Sequence, residues 1–486
     1  MKKYLLLIPF ILVIVAFCLF GIDKQYMWSD EVYSFNAAKM ILEKGQAIYD
    51  SGLIYARAPI YHQLLAYSMK IFGENELGSR IINIPFWLGT STVIFFFVKE
   101  IIPFIKGERK YMTALLVSIF YLISNFAISM LRETRMYGMS TFFLILAVYL
   151  FYKAVINPKR GYKIVGIEVD IKYAIFFIPV MYIAYNTHPI NILLGLGIAI
   201  YFLISTFLYK QKTNFLIFVL LIALGLGFMY LRYDSLNVLN VFTDLSPNWA
   251  KGLNILYYSV LTVRNLPMVI LALPATLYIL FKNRNKTVLF LTSIVLGFLP
   301  FLSLQSAQHE RYWQAVIPVI VILSFISLIL FLKEVGINKL TKVLMILLLT
   351  TSLFHIYLSV KEIVEIDTYT SSSLSIHKKL EYNKLFIYLE NNLEDDTLLI
   401  ADSHSAYTLY AKGFDVDYLL LPDDSVNWQW GERDLYFDIP LINDDQLDSL
   451  LEEEKDGFVV VRDLERIGEI QYTRLSIFNR PTVYKF

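Results

Sequence analysis

The stretch WQAVIPVIVILSFISLILFL, residues 313–332, carries no charged side chain and is long enough to cross the hydrocarbon core of a bilayer as a helix. Apolar runs of similar length recur along the whole chain. They fall at about 4–20, 81–98, 112–130, 139–156, 173–187, 190–208, 214–231, 266–281, 287–304, 313–332 and 343–360. The sequence therefore predicts a polytopic α-helical membrane protein with about eleven transmembrane helices.

The composition supports this fold class and excludes several functions. Hydrophobic residues make up 57% of the 486 positions and charged residues only 17%, against about 25% in an average soluble domain. The formal net charge of +1 gives no indication of nucleic-acid binding. Cys18 is the single cysteine, so neither an intramolecular disulfide nor a cysteine-based metal site can form.

The basic residues predict how the helices are oriented. Lysine and arginine are concentrated in alternate loops, which are cytoplasmic loops under the positive-inside rule. The N-terminus, which lacks a small-residue cleavage site at residues 20–23, then remains as a first helix and is cytoplasmic. An odd number of helices places the C-terminal end outside the cytoplasm. The basic segments are residues 2–3, 99–110, 153–172, 210–212, 282–286 and 333–342.

The last quarter of the chain has a different composition. From about Ile363 onward it is acidic and polar with short apolar strings, and Thr368–Ser375 is typical of a linker. We expect a transmembrane domain over residues 1–362 and a small extracytoplasmic α/β domain over 363–486. Its expected elements are a helix over 375–392 and strands over 397–402, 417–421, 457–462, 473–478 and 482–486.

The first outer loop, about residues 21–80, is long for a connector, which is typical of functional loops. Its patterns predict surface helices over Ala37–Gly45 and Leu64–Phe72. Asp30 and Glu31 follow the first apolar run closely, and such a carboxylate can act as a general base toward a hydroxyl. Alternatively, Ser29 or Asp30 caps the helix that follows.

Further charged and polar clusters lie in the other outer loops. Arg132, Glu133, Arg135 and Tyr137 occupy a very short loop between two apolar runs, where they must pair or face a polar cavity. Arginine suits a phosphate because its planar fork binds two oxygens. An internal Arg–Glu pair or anchoring to lipid headgroups would also explain these residues. His188 and the pair Arg311-Tyr312 end other outer loops, although a lone histidine is often only a structural hydrogen-bonding group.

Five of these motifs, taken in order, resemble the GT-C glycosyltransferases, in particular the glycosyltransferase 39 (protein mannosyltransferase-like) and aminoarabinose-transferase group. The resemblance covers about residues 1–330. At residues 56–59 this chain has Ala-Arg-Ala-Pro where aminoarabinose transferases have Glu-Lys-Pro-Pro. The motifs are Trp28-Ser29-Asp30-Glu31, the Tyr55–Tyr61 segment, Phe72-Gly73 with Ser79-Arg80, Arg132–Tyr137 and Arg311-Tyr312 with Pro318.

The resemblance implies transfer of a sugar from a polyprenyl-phosphate donor, with inversion, to an extracytoplasmic lipid-linked glycan, polysaccharide or protein. It implies Asp30 as the base, with Glu31 as the second candidate, and Arg57 as a donor-phosphate contact. Residues near the donor would be Tyr61, Arg132, Glu133, Arg135, Tyr137, His188, Arg311 and Tyr312. No cofactor is certain, and a divalent metal stays open because no zinc signature is visible.

Two other functions remain possible from the sequence. A transporter or flippase of lipid-linked sugars would need midplane ionisable residues or inverted repeats, and neither is visible. A scaffold that binds partners through its C-terminal domain would leave Asp30 and the arginines as caps and anchors.

Overall fold

The computed structural model describes residues 29–335 except for 50, 165, 232–253 and 304–309, together with isolated positions in 12–27 and 350–357 and much of 382–485. Helices dominate the part before residue 336. They are α1 Ser29–Lys44, α2 Pro59–Phe72, α3 Glu76–Arg80, α4 Asn83–Ile101, α5 Glu108–Leu122, α6 Asn125–Arg132, α7 Tyr137–Phe151, α8 Ile171–Thr187, α9 Leu193–Tyr209, α10 Lys212–Leu231, α11 Asn254–Asn265, α12 Val269–Asn283, α13 Lys286–Ser303, α14 Glu310–Gln314 and α15 Ile317–Val335.

Five helical segments in the described part are long and apolar enough to cross a membrane, or up to seven if each bent pair is one span. The run predicted at 112–130 is such a pair, because α5 and α6 meet at an angle of 54°. The first and last predicted spans, 4–20 and 343–360, fall largely outside the described residues. A multi-pass helical membrane protein is thus confirmed, whereas the count of eleven remains a prediction.

Small residues let two membrane helices pack closely. A Cβ on Gly197 of α9 would lie 2.7 Å from the Cα of Ile294 in α13, and one on Gly297 would lie 2.6 Å from the backbone N of Gly197. Such contact between backbones is how helices associate where lipid offers no hydrophobic driving force. The buried side chain of Asn191 adds a hydrogen bond of 2.9 Å to Ser140 Oγ.

The first outer loop is more helical than its pattern predicts. The helix expected at 37–45 begins at Ser29, eight residues earlier, and the helix expected at 64–72 begins at Pro59. Proline at the first helical position is favourable because its missing N–H would have no intrahelical acceptor there. Asp30 and Glu31 are therefore in the first turn of α1 and not in a loop before it.

The C-terminal part contains a small sheet, as predicted. It begins with α16 Tyr382–Asn392; the expected start of this helix, residues 375–381, is outside the described part. The strands are β3 Leu398–Asp402, β4 Tyr418–Leu420, β7 Leu441–Ile442, β8 Gly457–Val461, β9 Thr473–Arg474 and β10 Thr482–Lys485, in the order β7-β4-β3-β8-β10-β9.

The first four strands of that order pair in parallel, and β10 runs antiparallel to its two neighbours. Ile400, Leu420 and Val459 form its buried core. Two short hairpins complete the list of strands: β1 Tyr162–Ile164 with β2 Ile167–Val169, and β5 Gln429–Trp430 with β6 Arg433–Asp434.

The chain divides into two compact units. One comprises residues 1–83, 132–135 and 362–486, and the other comprises 84–131 and 136–361. In the first unit, Lys412 of the C-terminal part forms an ion pair with Glu76 of α3. The division of the sequence into domains at residues 362 and 363 remains a prediction.

Candidate active site

The two adjacent carboxylates of α1 have different environments. Both lie in the first turn of the helix, where the partial positive charge of the helix N-terminus favours anions. The side chain of Asp30 is 22% exposed, whereas that of Glu31 is 1% exposed. Asp30 is thus accessible to a substrate, and Glu31 belongs to the interior.

Glu31 is held by Arg80, which is itself fully buried. The guanidinium donates from Nε to Oε1 and from Nη2 to Oε2, each at 3.1 Å, which is the bidentate fork geometry. Arg80 also donates from Nη1 to the Ile22 carbonyl at 2.9 Å. The backbone N–H of Thr134 donates to Glu31 Oε1 at 2.6 Å. Glu31 therefore ties the start of α1 to two distant segments.

Arg135 makes a second contact with the same turn. Its Nη1 donates to the backbone carbonyl of Asp30 at 2.6 Å and to Ser34 Oγ at 3.2 Å. Its Nη2 lies 3.8 Å from Asp30 Oδ2, an ion pair between a 5% exposed cation and the partly exposed carboxylate. Of the residues predicted from the sequence, Asp30, Glu31 and Arg135 are thus brought together.

The remaining residues of the short second loop make structural contacts. Arg132 donates to the carbonyl oxygens of Phe20 and Gly21, each at 3.1 Å. The backbone carbonyl of Glu133 accepts a hydrogen bond from Asn83 Nδ2 at 2.5 Å. The buried ion pair between Arg80 and Glu31 joins two parts of residues 21–80. It is not the Arg–Glu pair expected within the second loop, which remains a prediction.

Arg57 is exposed, and the described residues include no ion-pair partner for it. It precedes Ala58, whose φ of 44° lies in the left-handed region that disfavours a residue with a Cβ. The buried ring of His62 donates from Nδ1 to the Ala58 carbonyl at 2.9 Å and so stabilises this turn. Strained turns of this kind are common at functional sites.

Two buried ring groups support the start of α2. Burial lowers the pKa of His62 to about 4, against the opposing effect of its hydrogen bond to Ala58, so the ring is neutral at pH 7. Burial also raises the pKa of Tyr61, and the negative charge of Glu31 adds to this, while Arg135 lowers it. Tyr61 is completely buried, so its hydroxyl stays protonated and uncharged.

The second unit contains another group of predicted residues. The ring of His188 lies 5.5 Å from the ring of Tyr137 and 5.5 Å from that of Tyr312. The guanidinium of Arg311 lies 5.9 Å from the ring centre of Tyr312. His188 also ends α8, where its Nδ1 accepts a hydrogen bond from the Ile190 N–H at 3.2 Å. These four residues form an aromatic and cationic cluster.

A divalent metal, which the sequence leaves open, has no evident ligand set among the described residues. Among the described residues, no three His, Cys, Asp or Glu side chains come together as metal ligands. Glu31, which is almost completely buried, already accepts hydrogen bonds on both oxygens. Metal dependence therefore stays an open question, as it is from the sequence.

Three residues that build this site had no role assigned from the sequence. Arg80 and Thr134 lie within two of the five motifs and hold Glu31, whereas His62 lies in none of them and stabilises the Arg57 turn. Only Arg80 could have been singled out from the sequence, because an arginine at the start of an apolar run needs a polar partner. Its partner is 49 residues away in the sequence.

Comparison with known proteins identifies the fold. No protein-family model matches the chain. A protein of Aquifex aeolicus (strain VF5), described as uncharacterized, is 26% identical over 163 residues, and this match spans 33% of the chain and 31% of the relative. The sequence similarity thus covers about a third of each protein.

Solved structures match over a much larger part. ArnT from Cupriavidus metallidurans in the apo state aligns with a TM-score of 0.63 and 11% identity over 100% of this chain and 98% of that one. The same protein bound to undecaprenyl phosphate aligns with a TM-score of 0.61 and 11% identity, over 99% of this chain and 98% of that one. An oligosaccharyltransferase of Archaeoglobus fulgidus, in complex with zinc and sulfate, aligns with a TM-score of 0.51 and 11% identity, over 93% of this chain and 68% of that one.

At 11% identity, these similarities concern the course of the backbone and not the residues of the site. Both neighbours are GT-C proteins, as the five motifs of the sequence predicted. The chain therefore has the fold of the GT-C glycosyltransferases.

Proposed function

We propose that this protein is a membrane glycosyltransferase that moves a sugar from a polyprenyl-phosphate donor to a hydroxyl of an extracytoplasmic acceptor. The proposal rests on the pairing of a partly exposed Asp30 with Arg135 within a fold shared with ArnT. The ArnT structure bound to undecaprenyl phosphate supports the donor class. The acceptor would be a lipid-linked glycan, a surface polysaccharide or a protein.

The reaction balances without a cofactor. The acceptor oxygen attacks the anomeric carbon of the sugar while the bond from that carbon to the phosphate oxygen breaks. The bonding electron pair leaves with the phosphate, so polyprenyl phosphate is the second product. Asp30 takes the proton of the attacking hydroxyl, a role that contributes about 10²–10⁴ in rate when the base is well placed.

Fixed cations favour the departure of the lipid phosphate. Negative charge grows on the phosphate as the sugar leaves, and preorganised positive groups stabilise it most where water is excluded. We assign this role to Arg57, because it is exposed and has no ion-pair partner among the described residues. Arg132 instead binds two backbone carbonyls, so its proposed contribution is to fix the loop.

Glu31 is proposed as a positioning residue. Both of its oxygens accept hydrogen bonds from Arg80, and one also accepts from Thr134. A carboxylate with these contacts holds the first turn of α1, and with it Asp30, at a fixed place. In the second unit, we assign His188, Tyr137, Arg311 and Tyr312 to contacts with the donor.

The proposal is tested by reconstituting the wild-type protein into liposomes with a membrane extract as acceptor. A panel of radiolabelled polyprenyl-phosphate sugars is supplied, with the matching nucleotide sugars as a control. We expect labelled acceptor and free polyprenyl phosphate in equal amounts from one donor, and none directly from a nucleotide sugar. Movement of intact donor across the bilayer without transfer would instead identify a flippase and contradict the proposal.

A further inference from the structure

A cavity of about 630 Å³ lies in the second unit among the ends of several membrane helices. It is formed by the end of α4, the start of α5, the segment after α7, the connection from α12 to α13 and the end of α15. It is distinct from the His188 cluster. Lys153, beside the cavity, contacts the ring of Tyr173 near the start of α8, and His188 follows the end of the same helix. Fourteen helical residues between them span about 21 Å.

The charge of the cavity lining is positive. Four lysines and two glutamates line it, which gives a formal charge of +2. Glu100 is already paired with Lys153 at 2.9 Å and Lys159 at 3.2 Å. The other lining lysines are Lys99, Lys110 and Lys333, and the described residues include no carboxylate within ion-pair distance of any of them.

The positive groups are held in place by the fold. A single π-helical turn, Tyr152–Ile156, follows α7 and carries Lys153, whose side chain is 4% exposed. The ammonium of Lys333 lies 4.7 Å from the ring centre of Phe104, and that of Lys99 lies 5.1 Å from Phe96. These cation–π contacts orient two of the three lining lysines that have no carboxylate within ion-pair distance among the described residues.

Exposed apolar surface adjoins the same lysines. Phe96 is 45% exposed and Tyr111 is 45% exposed, and the ammonium of Lys99 lies within 5.4 Å of both ring centres. In a membrane protein such surface faces acyl chains, so the cations lie at the boundary between hydrocarbon and headgroups. The alternation of basic loops predicts that this end is cytoplasmic, where the leaflet carries anionic lipid.

We propose that this cavity binds the phosphate headgroup of an anionic membrane phospholipid. Basic pockets between transmembrane helices on the cytoplasmic side suit such headgroups, and a lysine contributes to them as a point charge. The lipid's acyl chains would run along Phe96 and Tyr111. The site is independent of the proposed transfer reaction and would serve to anchor α4, α5 and α15 to the membrane.

The test is lipid binding by native mass spectrometry of the full chain in a neutral detergent. Phosphatidylglycerol and phosphatidylcholine of equal chain length are compared, because only the former has a net charge. The test variant is Lys99→Gln/Lys333→Gln, and the control is Lys106→Gln/Lys163→Gln, which changes two exposed lysines outside the cavity lining. At about 1 kcal/mol per lysine, the test variant should bind phosphatidylglycerol about thirtyfold more weakly.

The expected result is selectivity for phosphatidylglycerol that the test variant loses and the control keeps. Equal binding of both lipids, or equal weakening in both variants, would overturn the proposal. Displacement of phosphatidylglycerol by millimolar inorganic phosphate or glycerol phosphate would overturn the lipid assignment in favour of a soluble anion. If the double variant does not fold, each single substitution should weaken binding about fivefold, and no weakening in either counts against the site.

Discussion

Replacing Glu31 by Gln should destabilise the protein strongly, because the positive charge of Arg80 then stays buried without a partner. The substitution keeps the shape of the side chain and an oxygen for the Thr134 N–H, but it leaves the guanidinium of Arg80 buried at 0% exposure without its counter-charge. Breaking one partner of a buried pair costs about 3–5 kcal/mol. That is a large part of the roughly 5–15 kcal/mol by which native proteins are stable.

A double-mutant cycle isolates this effect. Arg80→Met fills a similar volume without charge, so the variant Glu31→Gln/Arg80→Met contains no buried ion and should lose less than the two single variants together. The free energy of unfolding is measured in mixed micelles by titration with dodecyl sulfate. We expect a coupling of about 2 kcal/mol or more.

The matched control is the pair Lys39–Glu43 in the same helix, 3.9 Å apart with 42% and 46% exposed side chains. Glu43→Gln should cost no more than about 0.5 kcal/mol because water screens this pair. Additive losses in the Glu31 and Arg80 variants, or a loss for Glu31→Gln no larger than for Glu43→Gln, would refute the reasoning.

Three further predictions concern single positions. The folded protein keeps His62 neutral with a pKa of about 4, whereas the unfolded chain takes up the proton near pH 6.5. The free energy of unfolding should therefore fall by up to about 3 kcal/mol as the pH drops from 6.5 to 4. His62→Asn should flatten this pH dependence, and an unchanged pH profile of unfolding in the variant would contradict the assignment. Gly197→Ala should lower the melting temperature, because the added Cβ would lie 2.7 Å from the Cα of Ile294. Gly195→Ala in the same helix is the control, since its Cβ would meet nothing within 4 Å. Equal melting temperatures of the two variants would count against the close helix packing. Arg57→Gln should weaken donor binding at least about tenfold, because a charge-assisted contact to the donor phosphate is lost. Lys70→Gln on the neighbouring helix should leave the KM for the donor unchanged. Similar effects of both variants would mean that the general positive charge of the surface, and not Arg57, attracts the donor.

The sequence predicts the parts of this fold that depend on local patterns. Long apolar runs predict the spans of α4, α7, α9, α13 and α15, because the bilayer sets the length of a spanning helix. The short apolar strings after residue 396 predict β3, β4, β8 and β10 within a residue at each end. The two-residue strand β7 is too short to carry a pattern.

The sequence predicts the charged pair of the candidate site but not the residues that support it. Asp30 and Arg135 stand out as charged residues beside apolar runs. The start of α1 was indicated only by the possible cap at Ser29 or Asp30, because Val32, Tyr33 and Phe35 disfavour a helix by propensity. Burial of Val32 and Phe35 favours the helix in the folded protein. Arg80 and Glu31 meet only through tertiary folding, so no spacing in the sequence could indicate that pair.

The most direct test of the central claim is the rate of sugar transfer by Asp30→Asn in proteoliposomes, with Glu43→Gln as the control in the same helix. Asparagine keeps the shape of the side chain and its capacity to accept hydrogen bonds in the first turn, but it cannot take a proton from the acceptor. We expect a rate lower by about 10²–10⁴ in a variant that still folds, with a fully active control. Transfer at the wild-type rate by the folded Asp30→Asn variant would contradict the assignment of Asp30 as the base.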